Sequence, residues 1–173
     1  MEILRKMTFQ ITFKNAWTYE PKNPNVRLPV SSLPKDGKGH IHGRLEIIVA
    51  GRPLPYLGYF GPDDVCMNEW IKELSEAAAK LKSADNSEHV YHDCEQGQPT
   101  FRFERCGNLV FISIITSEFS GAKGLPDWQM VECRLDGFLS AVSTFETQFR
   151  KLVLSESPVG GKLWLKSVMK QWA

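Results

Sequence analysis

The sequence has no long hydrophobic run. None of its apolar stretches approaches the roughly 20 residues that a membrane-spanning helix needs. The N-terminal stretch MEILRKMTFQITFK also lacks the apolar core and the small-residue cleavage site of a signal peptide. We therefore expect no membrane partner, and the protein is predicted to be cytoplasmic.

Closely spaced cysteines are also absent. The chain has four cysteines, and none of them forms a C-x-x-C pair. In a reducing compartment, scattered cysteines are most simply free thiols. With 173 residues, 42% of them hydrophobic, the chain is long enough to bury a core without a disulfide or a metal. We expect a single globular domain over residues 1–173.

A large excess of either charge is missing as well, because the net charge is only +1. Dedicated nucleic-acid-binding domains usually carry a strongly basic face, so no nucleic-acid partner is expected. The charge is nevertheless uneven, since residues 63–95 hold nine Asp and Glu against three Lys and Arg. Such a segment can steer a basic partner if its charges share one surface. Ordinary solvated helix and loop faces explain it equally well.

Alternating hydrophobic residues predict several β-strands. The inward positions of the first two strands are Met7, Phe9, Ile11 and Phe13, and then Leu45, Ile47 and Val49. Between them, residues 19–43 hold four prolines and three glycines, which predicts a long irregular loop, either ordered for binding or mobile. Further on, Gly107 and Asn108 separate two β-rich runs, as in a tight hairpin. The second run, LVFISII, is apolar on both sides and is typical of a central strand.

Two segments have the 3.6-residue periodicity of amphipathic helices. In residues 61–83, Pro62, Asp63 and Asp64 are the expected helix start, and the apolar stripe is Trp70, Leu74, Ala77, Ala78 and Leu81. In the second helix the stripe is Phe138, Val142, Phe145, Phe149 and Leu152. Pro158, Gly160 and Gly161 are expected to end it. A short C-terminal helix should then present Trp164 or Leu165, Val168 and Trp172 to the core.

These elements define the expected fold class. We predict an α+β domain with a mainly antiparallel β-sheet, two main amphipathic helices packed on it and a short C-terminal helix.

The segment HVYHDC has the best metal-ligand chemistry in the sequence. The potential ligands are His89, His92, Asp93 and Cys94. A strand would place His92 and Cys94 on one face and the other two residues on the opposite face, so one ion cannot bind all four. His92 and Cys94 joined by His40 or His42 remain a geometric possibility. A strand end near solvent is the simpler interpretation, and no metal or cofactor is predicted.

No coherent catalytic set is apparent. Cys66 is near a predicted helix start, where the helix dipole favours a thiolate but Asp63 and Asp64 oppose it. The segment GRPLPYLGYFG has neither P-loop nor dinucleotide-binding spacing. Its aromatic residues, which include Tyr56 and Tyr59, either form an exposed binding surface or pack beneath the loop. We therefore predict a protein that is not an enzyme.

The chain resembles a group of small bacterial cytosolic proteins. The resemblance covers about His42 to Leu154 and rests on HGRLEIIVAGRPLP, GYFGPDDVCMNEWIKEL, EQGQPTFRFERCGNLVFIS and the amphipathic helix that follows. Some such proteins are encoded beside polymorphic or contact-dependent toxins as their immunity proteins. The resemblance implies an α+β domain that neutralises a cognate toxin by binding it, and it carries over no individual binding residue.

The predicted partner is therefore a cognate protein toxin, and the acidic segment suggests one with a basic cleft. In a nuclease toxin, carboxylates can occupy such a cleft in place of phosphates. The predicted partner-binding residues are Asp63, Asp64, Glu69, Glu73, Glu76, Tyr56 and Tyr59. The glutamates of this set are expected to face solvent.

Two other functions fit the sequence. One is a small metal- or ligand-dependent enzyme with a site near His92, Cys94 and Arg102. The other is a structural adaptor subunit that uses an exposed sheet edge. A deep polar pocket with clustered titratable groups would favour the enzyme, and a shallow charged surface would favour the binding protein. The sequence does not determine the oligomeric state, although a monomer is favoured.

Overall fold

The computed structural model describes residues 7–93 and 97–169. These residues form an α+β fold with two antiparallel sheets, which confirms the predicted fold class. The strands are Phe9–Glu20 (β1), Asn23–Pro29 (β2), Ile41–Val49 (β3), Arg52–Pro53 (β4), Val65–Cys66 (β5), Glu88–His92 (β6), Thr100–Cys106 (β7), Leu109–Ile115 (β8) and Val131–Arg134 (β9). The helices are Met67–Ser83 (α1), Leu135–Glu156 (α2) and Pro158–Val168 (α3).

The first sheet has the order β2-β1-β3, and both β4 and β5 pair with the outer edge of β3. Leu45, Ile47 and Val49 of β3 are fully buried, as the alternation predicts. A bulge between Lys14 and Trp17 shifts the register of β1 against β3. Such an extra residue increases the local bend and twist of the strand.

The prediction of an irregular loop over residues 19–43 is wrong for residues 19–20, 23–29 and 41–43, which lie in strands. β1 continues to Glu20, and β2 returns antiparallel to it, with Tyr19 opposite Arg27. Pro24 and Pro29 lie in β2, which pairs only with β1 and is therefore an edge strand. A proline is tolerated at an edge because the missing N–H need not be part of a ladder.

The second sheet has the order β6-β7-β8-β9. β7 and β8 are joined by Gly107 and Asn108, with Cys106 opposite Leu109, so the predicted two-residue hairpin is confirmed. β8 lies between two neighbouring strands, as its apolar character on both sides predicts. The buried alternate positions of β7 are Phe101 and Phe103.

α1 and α2 pack against strands of both sheets and α3 packs against these two helices, which completes one continuous hydrophobic core. α1 contacts β3 of the first sheet and β6 and β7 of the second. Its predicted apolar stripe is buried, apart from the half-buried Ala78. The stripe of α2 is also buried from Phe138 to Phe149, while Leu152 is half-buried and Val153 is buried.

The start of α1 differs from the prediction. The helix begins at Met67 with Cys66 as its N-cap, not at Pro62. Val65 and Cys66 instead form β5, which pairs with His42 and Gly43 of β3. Asp63 and Asp64 therefore precede the helix and do not belong to its first turn. Because the dipole field is concentrated in the first turn, its effect on these two carboxylates is weaker than the sequence suggested.

Two glycines that were expected to end α2 lie inside α3 instead. The break is at Ser157, and Pro158 occupies the first turn of the next helix, where a missing N–H has no cost. A Cβ atom at Gly160 would lie 2.5 Å from the carbonyl oxygen of Pro34, and one at Gly161 would lie 2.6 Å from that of Val153. These glycines therefore allow α3 to pack closely against the backbone carbonyl groups of Pro34 and Val153.

Of the residues that α3 was predicted to present to the core, Trp164 and Leu165 are both buried, and Trp172 lies outside the described residues.

Gly160→Ala should destabilise the protein by about 1–3 kcal/mol because the added methyl group overpacks the contact with Pro34. Alanine has a higher helix propensity than glycine. At a helical position where the added methyl group met no neighbour, the same substitution would therefore stabilise the protein. Gly137→Ala in α2 is the matched control, since nothing lies within 4 Å of its added Cβ. Urea denaturation would measure both changes, and equal effects at the two positions would contradict this explanation of Gly160.

Candidate functional site

A group of aromatic side chains projects from the segment between β4 and β5. We call residues 54–64 the aromatic loop. Tyr56, Tyr59 and Phe60 are 44%, 57% and 78% exposed, and the rings of Tyr59 and Phe60 meet edge to face at 4.9 Å. Of the two alternatives for the tyrosines, exposure is confirmed. Beside them lies a groove of about 240 Å³ whose walls include Tyr56, Pro62 and Arg44.

The predicted acidic residues do not form one exposed surface. The Asp63 side chain is 69% exposed and accepts a hydrogen bond from Arg44 at 2.7 Å. Glu76 is exposed, and Glu69 is half-buried. The prediction that Glu73 faces solvent is wrong. Glu73 is 9% exposed and is bonded to His89 at 2.9 Å and to Lys72 at 3.1 Å, because its position on α1 faces β6.

A second group of polar side chains lies where β3, β5 and the start of α1 meet. We call His40, His42 and Cys66 the His-Cys cluster. One potential ligand atom from each residue lies within 4.8 Å of the others, and His40 Nδ1 is 3.4 Å from Cys66 Sγ. His42 and Cys66 are directly paired across β3 and β5, which places their side chains on the same face. His40 immediately precedes β3, and its ring centroid lies 6.3 Å from that of His42.

The orientation of His42 is fixed by Asp64. His42 Nδ1 lies 2.9 Å from Asp64 Oδ1, and the other carboxylate oxygen accepts hydrogen bonds from Tyr19 at 2.7 Å and Arg27 at 3.2 Å. A carboxylate accepts, so the hydrogen of this contact is on His42 Nδ1. Burial, followed by the hydrogen bond to Asp64, raises the pKa of Tyr19 and keeps it a donor.

The His-Cys cluster opens onto a cavity of about 220 Å³. Trp70 and Tyr91 contribute aromatic walls, and Glu69 and Asp93 contribute carboxyl groups. None of the described residues that line this cavity is a lysine or an arginine. The acidic lining favours a positively charged occupant over an anion.

Sequence reasoning considered all three residues of the cluster but did not bring them together. His40 and His42 were linked to His92 and Cys94, and Cys66 was considered alone. The H-x-H pattern is the signal that places two histidines on one face of a strand. The third member depends on β5, which has only two residues and no periodicity of its own.

At the alternative site near His92, the described side chains make local contacts. His92 Nδ1 lies 3.1 Å from Thr100 Oγ1, and its ring contacts Phe119. Arg102 pairs with Glu104 at 3.0 Å. His92 is exposed at the end of β6, in agreement with the simpler interpretation of a strand end. Cys94 lies outside the described residues.

Glu73, Glu76 and His89 form another group with ligand chemistry. His89 Nε2 is directed at Glu73 Oε2, and the Lys72 ammonium group contacts the other oxygen of that carboxylate. An ammonium group at 3.1 Å repels a metal cation. The arrangement is therefore a buried hydrogen bond between Glu73 and His89 that holds α1 against β6, with Lys72 as a more exposed partner of the same carboxylate.

A cavity of about 360 Å³ lies between α1 and α2. Its walls are mainly apolar, and Glu146 accepts a hydrogen bond from Ser75 there. Burial raises the pKa of the Glu146 carboxyl group. A single carboxylic acid with two serines and Lys82 does not make a recognisable catalytic set or a metal-ligand set.

Comparisons of the chain with protein family models, characterised proteins and solved structures gave no match. No helix in the described part of the chain combines the length and the apolar character needed to cross a membrane.

Proposed function

We propose that this chain is a cytoplasmic, non-enzymatic binding protein that neutralises a cognate bacterial toxin by direct contact. The observation that carries the proposal is the exposure of Tyr56, Tyr59 and Phe60 on one short loop. Large aromatic side chains are the commonest energetic anchors of protein interfaces. Aromatic rings that are left in water do not stabilise a monomer. Their exposure therefore favours a partner that covers them.

The charges beside the aromatic loop define the chemistry of the proposed partner. Asp63 is exposed next to the rings, whereas Asp64 and Glu73 are used within the fold. We therefore restrict the proposed contact set to Tyr56, Tyr59, Phe60 and Asp63. An exposed carboxylate at the rim of an aromatic anchor increases the association rate with a basic partner more than the affinity.

The experiment begins with affinity capture of the tagged protein from its native lysate at moderate salt. Any stoichiometric partner is then expressed alone and together with this chain. A partner that stops growth alone and is harmless in the presence of this chain is the expected result. A stoichiometric partner that is harmless alone would favour the structural adaptor instead. Retention of no protein would contradict a tight binding partner under those conditions.

A metal- or ligand-dependent enzyme is the second candidate function, and one observation favours it. The His-Cys cluster lies at a cavity, which is a common arrangement for a site of chemistry. The proposed location thus moves from His92 and Cys94 to His40, His42 and Cys66. Turnover of a small molecule by the purified protein, lost in Cys66→Ser, would support this function over the first.

A further inference from the structure

We propose that His40, His42 and Cys66 bind a zinc ion. The proposal is independent of toxin binding. Two imidazoles and a thiolate are ligands that select zinc over magnesium or calcium, which prefer oxygen. Three protein ligands leave one tetrahedral position for a water molecule or another group.

The distances within the cluster fit this ion. Two ligands of a tetrahedral zinc, one sulfur and one nitrogen, lie roughly 3.5 Å apart, given the usual bond lengths. His40 Nδ1 and Cys66 Sγ are 3.4 Å apart, and the chosen atoms of all three residues are within 4.8 Å of one another. Only small side-chain movements are therefore needed to bring the ligands around one ion.

Asp64 supplies a second, independent feature of a metal site. Histidine ligands commonly donate their other ring N–H to a carboxylate, which fixes the tautomer and makes the ligand more basic. Asp64 accepts this hydrogen bond from His42 Nδ1, so Nε2 is the nitrogen that would bind the ion. Tyr19 and Arg27 hold the carboxylate in place. The arrangement is more constrained than a chance group of surface histidines.

The local electrostatics also favour a cation. Glu69 and Asp93 add negative charge to the wall of the cavity beside the cluster. His40 is exposed, so an ion can reach the cluster from solvent without opening the core. The ion would connect β3 to the start of α1.

The test is a titration of metal-stripped protein with zinc, in competition with a chromophoric chelator. We expect one zinc per chain. Asp64→Asn should weaken the affinity by about 10–100-fold, and Cys66→Ser or His42→Ala should weaken it by more than about 100-fold. Cys106→Ser is the matched control, because Cys106 is an exposed free thiol outside the cluster and its loss should leave the affinity unchanged.

Two further measurements use only the wild-type protein, so they do not require any variant to fold. Cobalt in place of zinc should give the near-ultraviolet charge-transfer band of a thiolate ligand. Zinc should also protect Cys66, but not Cys106, from alkylation, as mapped by mass spectrometry. A lack of zinc binding, or binding of equal strength in Cys66→Ser, would overturn the proposal. Neither result would affect toxin neutralisation, which the growth experiment measures separately.

Discussion

Trp70→Ala should lower the free energy of unfolding by about 3–5 kcal/mol, as expected for the loss of a large buried aromatic side chain. Trp70 is 1% exposed, and its ring meets Tyr91 at 5.2 Å and Phe101 at 5.0 Å, both edge to face. Its indole N–H donates a hydrogen bond to the carbonyl oxygen of Leu57. The substitution thus removes contacts between α1 and the second sheet and leaves that carbonyl without its partner.

Urea denaturation followed by far-ultraviolet circular dichroism measures this change. Trp70→Phe is the matched control, because it keeps most of the ring volume and removes the hydrogen bond to Leu57. Its expected cost is about 1–3 kcal/mol. A loss below about 1 kcal/mol for Trp70→Ala would contradict the central packing role of this residue.

Glu73→Ala should destabilise the protein by about 1–3 kcal/mol, because it leaves the buried His89 ring without its hydrogen-bond partner. The side chains of Glu73 and His89 are each 11% exposed. The pair links α1 to β6, and Lys72 adds a more exposed contact at the same carboxylate. Glu76→Ala is the control on the same helix, since Glu76 is exposed and its replacement should change stability by less than about 0.5 kcal/mol.

The contribution of Glu73 should also depend on pH. Burial disfavours the charged carboxylate, but the hydrogen bonds from His89 and Lys72 outweigh burial and lower the pKa of Glu73 below 4.5. The group therefore stabilises the fold fully above that value, and the contribution disappears as the pH falls through the lowered pKa. The stability difference between wild type and Glu73→Gln should shrink in acid. A stability difference that is constant from neutral to acid pH would contradict the lowered pKa of Glu73.

Hydrophobic periodicity was sufficient to predict much of the fold. The buried faces of β3, α1 and α2, and the hairpin at Gly107 and Asn108, follow from local patterns that the core reinforces. β2 was missed because its prolines are poor strand formers in general. They are compatible with this strand only because it lies at a sheet edge, and sequence patterns do not reveal strand order.

The candidate sites were harder to predict because they depend on contacts between distant residues. Glu73 has the spacing of a solvent-facing residue, and only the packing of α1 against β6 shows that it is buried beside His89. The His-Cys cluster requires a two-residue strand to place Cys66 beside His42. The aromatic loop was easier to find, because prolines and glycines around several aromatic rings are a local pattern. Exposure of the rings still had to come from the structure.

The most direct test of the binding function compares two phenylalanines of nearly equal exposure. Phe60 on the aromatic loop is 78% exposed, and Phe119, on the loop after β8, is 77% exposed. Calorimetry would measure the affinity of each alanine variant for the captured toxin. We predict that Phe60→Ala weakens binding by roughly 30-fold or more, as for an interface anchor, and that Phe119→Ala leaves it unchanged. Equal affinities for wild type and Phe60→Ala would contradict the aromatic loop as the binding surface.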